Sequence, residues 1–592
     1  KLSDFRLVNR NGKIAMKLED FVVTGHPEMG LVQVYEAVLN ASGFNLKPIG
    51  GFTVDGLISG ICLYRSQLDR HHYAFVVSTE GRVQQWRLSH TPDDTLNAHL
   101  LREFFSGFGA SYCLADDIHS RVYIVEEDNS VWAFNAAPEA EAIRGMVDTM
   151  KPFGRLAGGF KGLALYQDGN GGGYFIISDE DSQTFHFYTR RQHYYMGGFQ
   201  LALDDGLLGK FEGISAFSGR LGRDYPGGIL LITDDESSKY QLVSWQTIAE
   251  EMDLTASTNV SSLTKEQPAV VMPVAETHPV EIFGDAADDP AIWVHPDDPM
   301  KSLIIGTQKR SGLYVYNLQG EVVQFLPDGR LNNVDLRSGF MLGGKSITIV
   351  AATNRSDNSV TLYKLSAENP RLTKAAPPIP SGFEEPYGLC MYHEQITNTY
   401  YVIATDTRGN VNQWQLRTTD GQITADLQRS FDVGSQAEGC VTDDELGHLY
   451  ISEEEEALWK YSASPAGGNA RAEVDGVDSP EIEADLEGIS IYYGDNGTGY
   501  LIVSNQGADN YALYRREGDN EFLGMFHIIA NTSNGVDGAS ESDGLDITNQ
   551  TLGNNYPQGL MVVQDGRNRM PTDKQNFKLI SWKDIMTAME LQ

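Results

Sequence analysis

Carboxylate side chains recur at or beside the starts of repeated apolar strands in the C-terminal half of the sequence. Such positions converge in a circular repeat, where the charges would repel one another unless cations lay between them. A cluster of hard oxygen ligands without His or Cys favours Ca²⁺ or Mg²⁺ over zinc, and many flexible carboxylates suit Ca²⁺. A single Asp at such a place is usually a solvated turn former, but the repetition argues against that interpretation. The sequence therefore predicts several calcium ions, with ligands Asp288, Asp289, Asp335, Glu438, Glu454, Asp485, Glu487, Gln506, Asp537 and Asp543.

A few basic side chains lie in turns of the same half, each close to a serine. The guanidinium group presents a planar fork of donors that matches phosphate oxygens, and lysine acts as a mobile point charge. A phenolic hydroxyl beside them would add a hydrogen bond. These side chains are predicted to bind phosphate, and with one carboxylate they form the predicted catalytic set: Lys309, Arg310, Arg355, Tyr387 and Glu438.

The net charge of the chain limits its partners. The 592 residues include 45 Lys and Arg against 81 Asp and Glu, for a formal charge of −36. This acidic excess repels nucleic acid and anionic membranes, so neither is expected as a partner, whereas cations are. A polyanionic substrate would have to be held through local basic side chains or through bound metal that inverts the local charge.

Two long stretches of the sequence match at a nearly constant offset. Residues 85–88 (QWRL) return as 413–416 (QWQL), and residues 113–117 (CLADD) return as 440–444 (CVTDD). Self-similarity over this length indicates two tandem copies of one domain. We place the first copy at 1–254, a Ser- and Thr-rich linker at 255–268 and the second copy at 269–592.

Within each copy a shorter unit recurs at roughly 50-residue spacing, the period typical of propeller blades. Helical periodicity is nearly absent, apart from amphipathic segments at 245–254 and 582–591 that close the two copies. The predicted fold is all-β, with two tandem β-propellers, the second six-bladed. The first copy has no equivalent of about 285–330 and is predicted to be one blade short. A sandwich array is the alternative. The repetition of acidic residues at the starts of the strands fits the radial symmetry of a propeller better than it fits a sandwich array.

The second copy resembles the β-propeller phytase family in a series of ordered motifs. They are DAADDPAIW at 285–293, KRSGL at 309–313, LNNVDLR at 331–337, NRS at 354–356, EG at 438–439, EE at 453–454, DLEG at 485–488, DG at 537–538 and SDG at 542–544. The resemblance implies a six-bladed propeller that uses several calcium ions to hydrolyse phytate, myo-inositol hexakisphosphate, to lower inositol phosphates and orthophosphate. It thereby implies a phosphoric monoester hydrolase of the 3-phytase type, with phytate or calcium phytate as partner.

The mechanism implied is metal-assisted attack of water, without a covalent phosphoenzyme. The sequence shows no signature of histidine acid phosphatases and no Cys-x5-Arg loop. One position departs from the family pattern, because the chain has Asp406-Thr407-Arg408 where a lysine is common. Arg408 is therefore added to the predicted substrate-binding residues.

The first copy has lost most of the predicted site. At the equivalent positions Tyr387 becomes Ser59, Arg355 becomes His26, Glu438 becomes Ser111, Asp485 becomes Gly159 and Glu487 becomes Lys161; Glu127 alone matches Glu454. The first copy is therefore predicted not to be an independent phytase. It would act either as a helper that binds substrate or product, which we favour slightly, or as a structural companion.

Two other functions share parts of this pattern. A calcium-stabilised propeller that serves as a binding or adhesion module explains the carboxylates but not the basic set. A phosphodiesterase or lactonase-type propeller would share the metal and the fold, but would need few basic side chains to bind phosphate.

The ends and the cysteines of the chain give further expectations. The sequence begins without Met and shows no signal peptide, so we expect a secreted or periplasmic bacterial protein whose leader has been removed. A monomer is expected.

Four cysteines without metal-type spacing are predicted to be buried small hydrophobic residues.

Overall fold

The computed structural model describes residues 21–40, 43–93, 95–168, 171–202, 211–234, 239–256 and 268–591. The chain divides into two compact units, 1–267 and 268–592, which we call the N-terminal and C-terminal units. The division falls inside the predicted linker, of which residues 257–267 lie outside the described ranges. Each unit is built almost wholly of β-strands.

The N-terminal unit contains five sheets among its described residues. They are β1–β3 (Phe21–His26, Leu31–Asn40, Gly43–Thr53), β4–β7 (Ile58–Arg65, His72–Ser78, Arg82–His90, Leu96–Phe105), β8–β11 (Ala110–Asp116, Arg121–Glu126, Ser130–Asn135, Arg144–Thr149), β12–β15 (Phe160–Gln167, Gly173–Asp179, Thr184–Thr189, Tyr195–Phe199) and β16–β18 (Phe211–Phe217, Ile229–Asp234, Lys239–Ser244). A 3₁₀ turn covers Pro27–Met29, and helix α1 (Trp245–Met252) ends the unit.

The C-terminal unit contains six sheets, preceded by two short strands, β19 (Ala269–Val271) and β20 (Ala275–Glu276). The sheets are β21–β24 (Ala287–Trp293, Leu303–Gln308, Gly312–Asn317, Val322–Leu326), β25–β28 (Leu331–Leu342, Lys345–Asn354, Ser359–Ser366, Asn369–Lys374) with β29 (Ile379–Pro380), β30–β33 (Pro386–Glu394, Thr399–Asp406, Asn410–Thr419, Gln422–Asp432), β34–β37 (Ala437–Asp443, His448–Glu453, Ala457–Ser462, Arg471–Gly476), β38–β41 (Leu486–Tyr493, Gly499–Asn505, Asn510–Arg515, Phe522–Ile528) and β42–β44 (Leu545–Thr548, Leu560–Asp565, Asn576–Ser581). The 3₁₀ turns are Pro299–Lys301, Pro465–Gly467, Asp495–Gly497 and Gln506–Ala508, and helix α2 (Trp582–Ala588) follows β44.

The six sheets of the C-terminal unit close into a ring. Their innermost strands β21, β25, β30, β34, β38 and β42 contact one another in succession, and β42 contacts β21. This is the arrangement of a six-bladed propeller, so the predicted all-β fold is confirmed. The N-terminal unit shows five sheets in its described residues, in agreement with a copy that is one blade short.

The segment before the first sheet of the C-terminal unit completes the last two sheets. Strand β20 pairs antiparallel with β44, and β19 pairs parallel with β41. The beginning and end of the unit are thus hydrogen-bonded into one sheet, and we call β19 and β20 the clasp.

Apolar side chains fill the space between neighbouring sheets. All seven residues of β21 and all six of β22 are buried, because these strands are covered on both faces. Each closing helix adds an indole: Trp582 stacks on Tyr492 at 4.1 Å and Trp245 on Tyr166 at 3.4 Å. The two predicted amphipathic segments are therefore confirmed as helices. Neither helix, nor any other in the described ranges, is long and apolar enough to cross a membrane.

The cysteine prediction is wrong, because all four cysteines form disulfides. Cys62 bonds Cys113 and Cys390 bonds Cys440, with Cα–Cα distances of 5.7 and 5.6 Å. Each pair joins the first strands of neighbouring sheets, since its separation of 51 or 50 residues matches one blade repeat. Such cross-links typically stabilise a folded domain by about 2–4 kcal/mol.

Candidate active site

The innermost strands of five sheets in the C-terminal unit carry a bulge near their start. The ladders shift register between Ala287 and Pro290, Leu331 and Val334, Pro386 and Leu389, Ala437 and Cys440, and Leu486 and Ile489. A bulge re-aims the side chains that it contains. The residues inside these shifts are Asp288, Asp289, Asn332, Asn333, Tyr387, Gly388, Glu438, Gly439, Glu487 and Gly488. One repeated backbone feature therefore presents five of the fifteen predicted site residues: Asp288, Asp289, Tyr387, Glu438 and Glu487.

Glycine follows the site residue in three of these bulges because a neighbouring strand approaches closely. A Cβ on Gly388 would lie 1.8 Å from the Glu438 carbonyl oxygen, and one on Gly439 would lie 2.1 Å from that of Glu487. The repeated acid–glycine pairs in the sequence thus have two functions. The acid contributes to the carboxylate cluster, and the glycine lets the next innermost strand pack against its own strand.

Three buried glutamates form the centre of the site. Carboxylate oxygens of Glu438, Glu454 and Glu487 lie within 4.8 Å of one another. Within the described part of the chain, Glu454 Oε1 and Glu487 Oε2 have no hydrogen-bond partner. Unpartnered carboxylate oxygens that share one buried space are costly unless a cation binds them.

Lys309 connects the first and last sheets of the ring across this site. Its Nζ lies 2.7 Å from Asp543 Oδ2, 2.9 Å from Asp285 Oδ1 and 4.0 Å from Asp288 Oδ1. Although burial favours the neutral amine, the charges of Asp288 and Asp543 raise the pKa of Lys309 above its ordinary value. The side chain therefore remains an ammonium group beside the carboxylates.

Tyr387 and Arg355 form the neighbouring wall of the site. The Arg355 guanidinium lies 4.7 Å from the centre of the Tyr387 ring, and its Nε donates to the Pro386 carbonyl oxygen at 3.3 Å. Burial, and then the charges of Glu438 and Glu487, raise the pKa of Tyr387 far above its ordinary value. The phenol therefore stays protonated and can donate a hydrogen bond.

Four acidic side chains of the site, those of Asp288, Glu454, Glu487 and Asp543, have raised pKa values. Burial, reinforced by the charge of Glu438, raises the pKa of Glu454 to about 8. Burial raises the pKa of Asp543 to about 7 against the opposing effect of Lys309, and the same causes as for Glu454 raise those of Asp288 and Glu487 well above the usual range. Bound cations would reverse these shifts, because they favour the ionised carboxylates.

The donor set fits a calcium site. Asp288 is fully buried, and neither of its oxygens has a hydrogen-bond partner among the described residues. With the open oxygens of Glu454 and Glu487, this gives several hard ligands in one place, without His or Cys. The arrangement suits Ca²⁺, which accepts six to eight oxygens in flexible geometry.

Two predicted metal ligands are placed elsewhere. Asp335 lines the central channel, a cavity of about 350 Å³, where it pairs with Arg337 at 2.9 Å and accepts a hydrogen bond from the Met391 backbone at 2.8 Å. Asp537 forms an ion pair with the fully buried Lys578 in the last sheet. The structure therefore does not bring these two carboxylates into the cluster, since basic side chains already bind them.

The remaining predicted residues lie at the rim. Asp485 is near enough for its charge to raise the pKa of Glu454. Arg310 is exposed and reaches the Phe283 carbonyl oxygen at 3.4 Å, whereas Arg408 forms an exposed ion pair with Glu384. Arg408 thus points to a surface carboxylate and not to the cluster. Gln506 contacts the site through its amide nitrogen, which donates to Asp543 Oδ1 at 2.6 Å.

Two amide residues of the site are absent from the sequence-based prediction. Asn332 Nδ2 donates to Glu438 Oε1 at 2.5 Å, and Gln436 Nε2 donates to Glu454 Oε2 at 2.7 Å. The signals were available: Asn332 stands in the motif at 331–337, and Gln436 comes two residues before Glu438. Neutral side chains attract less attention than charged ones in such a search.

The N-terminal unit keeps the bulges but not the side chains. Its ladders shift between Ile58 and Gly60, Ala110 and Tyr112, and Phe160 and Gly162, so that the bulged residues are Ser59, Ser111 and Lys161. They stand where the C-terminal unit has Tyr387, Glu438 and Glu487. The retained carboxylate, Glu127, is exposed, whereas Glu454 is buried.

One predicted equivalence is off by one residue. Val22 pairs with Tyr35, as Val350 pairs with Tyr363, so His26 corresponds to Asn354 and Arg355 corresponds to Pro27. The arginine therefore has no basic counterpart in the N-terminal unit.

Fold and site together define the class of the protein: a β-propeller whose channel carries a carboxylate cluster fit for cations, flanked by basic groups suited to phosphate. The model of the Phytase family matches the chain twice, over residues 45–259 and 252–592. A 3-phytase of Bacillus subtilis (strain 168) is 42% identical over 344 residues, which are 56% of this chain and 89% of that protein. The chain belongs to the phytase family and is a hydrolase, and the double match agrees with the predicted tandem copies.

Proposed function

We propose that the C-terminal unit hydrolyses phytate to lower inositol phosphates and orthophosphate, and that it needs several calcium ions to do so. The observation that carries this proposal is the trio of buried glutamates beside Lys309 and Arg355, two of which, Glu454 and Glu487, have an oxygen without a hydrogen-bond partner among the described residues. Carboxylates alone would repel a polyanion. Calcium between them would invert the local charge and make the site attractive to phosphate.

The carboxylates would bind the cations, and the other side chains of the site would bind the substrate. Glu438, Glu454, Glu487, Asp288 and Asp543 would hold the ions, with Asp289 and Asp485 beside them. Calcium bound there would supply Lewis-acid activation of water and neutralise charge on the reacting phosphate.

The basic and phenolic groups would orient the substrate. Lys309 and Arg355 carry fixed positive charge next to the cluster, and the protonated Tyr387 donates to a phosphate oxygen. Charge on the equatorial oxygens of the transferring phosphoryl group would thus meet preorganised donors. Arg310 and Arg408, at the rim, would contact peripheral phosphates.

The N-terminal unit would serve as an accessory. The replacement of Glu438 and Glu487 by Ser111 and Lys161 at the same bulges argues against calcium-dependent hydrolysis there. We also propose that the protein acts outside the cytoplasm, as a secreted or periplasmic monomer. Two disulfides support that location, because reducing compartments disfavour them.

Phosphate release from phytate by the full chain tests the proposal. Metal-stripped protein is expected to lose activity by about 100-fold or more relative to protein with calcium, because the carboxylates then repel the substrate. Glycerol phosphate and a phosphodiester serve as comparison substrates. Equal release with and without calcium would overturn the metal mechanism, and no release with calcium would favour the binding-module alternative.

Calcium is expected to stabilise the protein more as the pH rises. Without the ion, the folded-state pKa values of about 8 for Glu454 and about 7 for Asp543 exceed the ordinary values of 4.5 and 3.8. The folded state then binds more protons than the unfolded state in this window, so stability falls as pH rises from about 4 to 8. Calcium replaces those protons, and the difference in Tm between loaded and stripped protein should widen from pH 5 to pH 8.

The control for this pH dependence is Glu454→Gln, which removes one titrating group and should flatten the stripped-protein curve. A Tm difference that is the same at pH 5 and pH 8 would contradict the assigned protonation states.

A further inference from the structure

Three neutral amide side chains each donate to one carboxylate of the cluster. Asn332 binds Glu438 Oε1 at 2.5 Å, Gln436 binds Glu454 Oε2 at 2.7 Å, and Gln506 binds Asp543 Oδ1 at 2.6 Å. The three donors come from three different parts of the ring: strand β25, the loop before β34 and the 3₁₀ turn after β39. We call Asn332, Gln436 and Gln506 the amide girdle.

At Glu454 the girdle fixes one carboxylate oxygen and leaves the other available to a cation. Gln436 holds Oε2, whereas Oε1 has no hydrogen-bond partner in the described part of the chain. At Asp543 the second oxygen, Oδ2, pairs with Lys309. The side chain of Gln436 also reaches the Tyr387 hydroxyl at 3.4 Å. One amide thereby sets the orientation of a cation ligand and of a substrate donor.

An amide is suited to this task because it orients a carboxylate without neutralising it. An ammonium group in its place would compensate the negative charge that attracts calcium, as Lys578 does for Asp537 in the last sheet. Neutral donors instead leave the charges of Glu438 and Glu454 uncompensated, whereas Asp543 binds the ammonium group of Lys309 as well as Gln506. Hydrogen bonds from such outer groups restrict ligand side chains to the geometry that the cation needs.

The N-terminal unit lacks the girdle at the two positions that its ladders define. Ala110 and Glu126 pair as Ala437 and Glu453 do, so Gln436 corresponds to Gly109. Phe160 and Asp179 pair as Leu486 and Asn505 do, so Gln506 corresponds to Glu180. The two donors are thus lost from a unit that has also lost the counterparts of Glu438 and Glu487, and the carboxylate that it keeps opposite Glu454, Glu127, is exposed.

We propose that the amide girdle consists of positioning residues that set the calcium affinity of the centre, with Gln436 coupling cation binding to the placement of Tyr387. This inference rests on the proposed calcium-dependent function. It assigns Gln506 a positioning role through its amide nitrogen, in place of the ligand role predicted from the sequence.

The test is calcium titration of the metal-stripped full chain by calorimetry, with Gln436→Met compared with the parent. Methionine keeps the length of the side chain and removes both donors, so calcium should bind about 10–100-fold more weakly, the range for lost outer-shell partners. The substitution should raise the calcium concentration needed for half-maximal phosphate release more than it lowers kcat at saturating calcium.

The control is Gln413→Met. Gln413 is a fully buried glutamine, unlike the exposed Gln436, and it donates to the Ala463 carbonyl oxygen at 2.8 Å, away from the carboxylates. This variant should lower Tm and leave calcium affinity unchanged. If Gln436→Met does not fold, the half-buried Gln506→Met gives the same readout.

The outcomes separate this inference from the proposed function. If the parent binds calcium and the girdle variants bind it equally well, the girdle role is overturned while the calcium function stands. If the parent binds no calcium at the centre, both proposals are overturned.

Discussion

Replacing Glu438 by glutamine is expected to lower phosphate release from phytate on the order of 10³-fold, through loss of cation binding and of electrostatic stabilisation. The charge of Glu438 affects the pKa values of most other titratable groups of the site. Its charge raises the pKa of Asp288, Asp289, Glu454, Glu487, Asp543, Lys309 and Tyr387. The substitution keeps shape and the hydrogen bond from Asn332, and removes only the charge.

The same variant has an opposite expected effect on stability in the absence of metal. With one negative charge removed from the cluster, stripped Glu438→Gln should have a higher Tm than stripped parent at pH 8. Exposed Glu455, in the turn between β35 and β36, provides the control, and Glu455→Gln should change neither activity nor Tm. Activity of Glu438→Gln above one-tenth of the parent value would remove Glu438 from the catalytic set, or would reveal hydrolysis by the N-terminal unit.

Lys309→Met is expected to reduce kcat/KM for phytate by about 10²-fold, because a fixed positive charge aimed at the phosphoryl group is lost. In metal-stripped protein Lys309→Met should lower Tm, whereas Glu438→Gln should raise it. Asp543 and Asp288 would lose their cationic neighbour, and breaking such a buried pair typically costs about 3–5 kcal/mol. Calcium should restore part of that stability.

Activity at saturating calcium and Tm in stripped protein are the two measurements for Lys309→Met. Lys301→Met is the control, since the ammonium group of Lys301 is 64% exposed and pairs with Asp298 away from the cluster. A Lys309 variant with normal kcat/KM would show that Arg355 alone suffices for phosphate, and would reduce Lys309 to a structural counter-ion.

The sequence was sufficient to predict the fold because the blades of a propeller recur in the sequence at a nearly constant spacing. Each blade needs a buried innermost strand, and five blades of the second copy begin that strand with a tight bulge, so these signals repeat every 50 residues or so. The carboxylates of the trio were predictable for the same reason, since Glu438 and Glu487 occupy equivalent bulges and Glu454 follows a repeated strand.

What the sequence did not reveal depends on contacts between distant segments. Asp335 and Asp537 look like Glu438 in type and setting, but Arg337 and Lys578 neutralise them. The disulfides follow from a packing of neighbouring innermost strands that no spacing rule for metal or scaffold cysteines describes. The amides of the girdle carry no charge, and their role became apparent only from the atoms to which they donate.

The clasp makes completion of the C-terminal unit depend on the end of the chain. Ala275 pairs with Leu579, so a strand at the beginning of the unit is completed by one of its last strands. Loop closure over such a distance is entropically costly, and high contact order slows folding. The middle blades can therefore stack before the ring closes, but the carboxylates of the first and last blades, Asp288 and Asp543, meet only when the last strands are in place. Assembly of the cation centre is thus a late step in the folding of the unit.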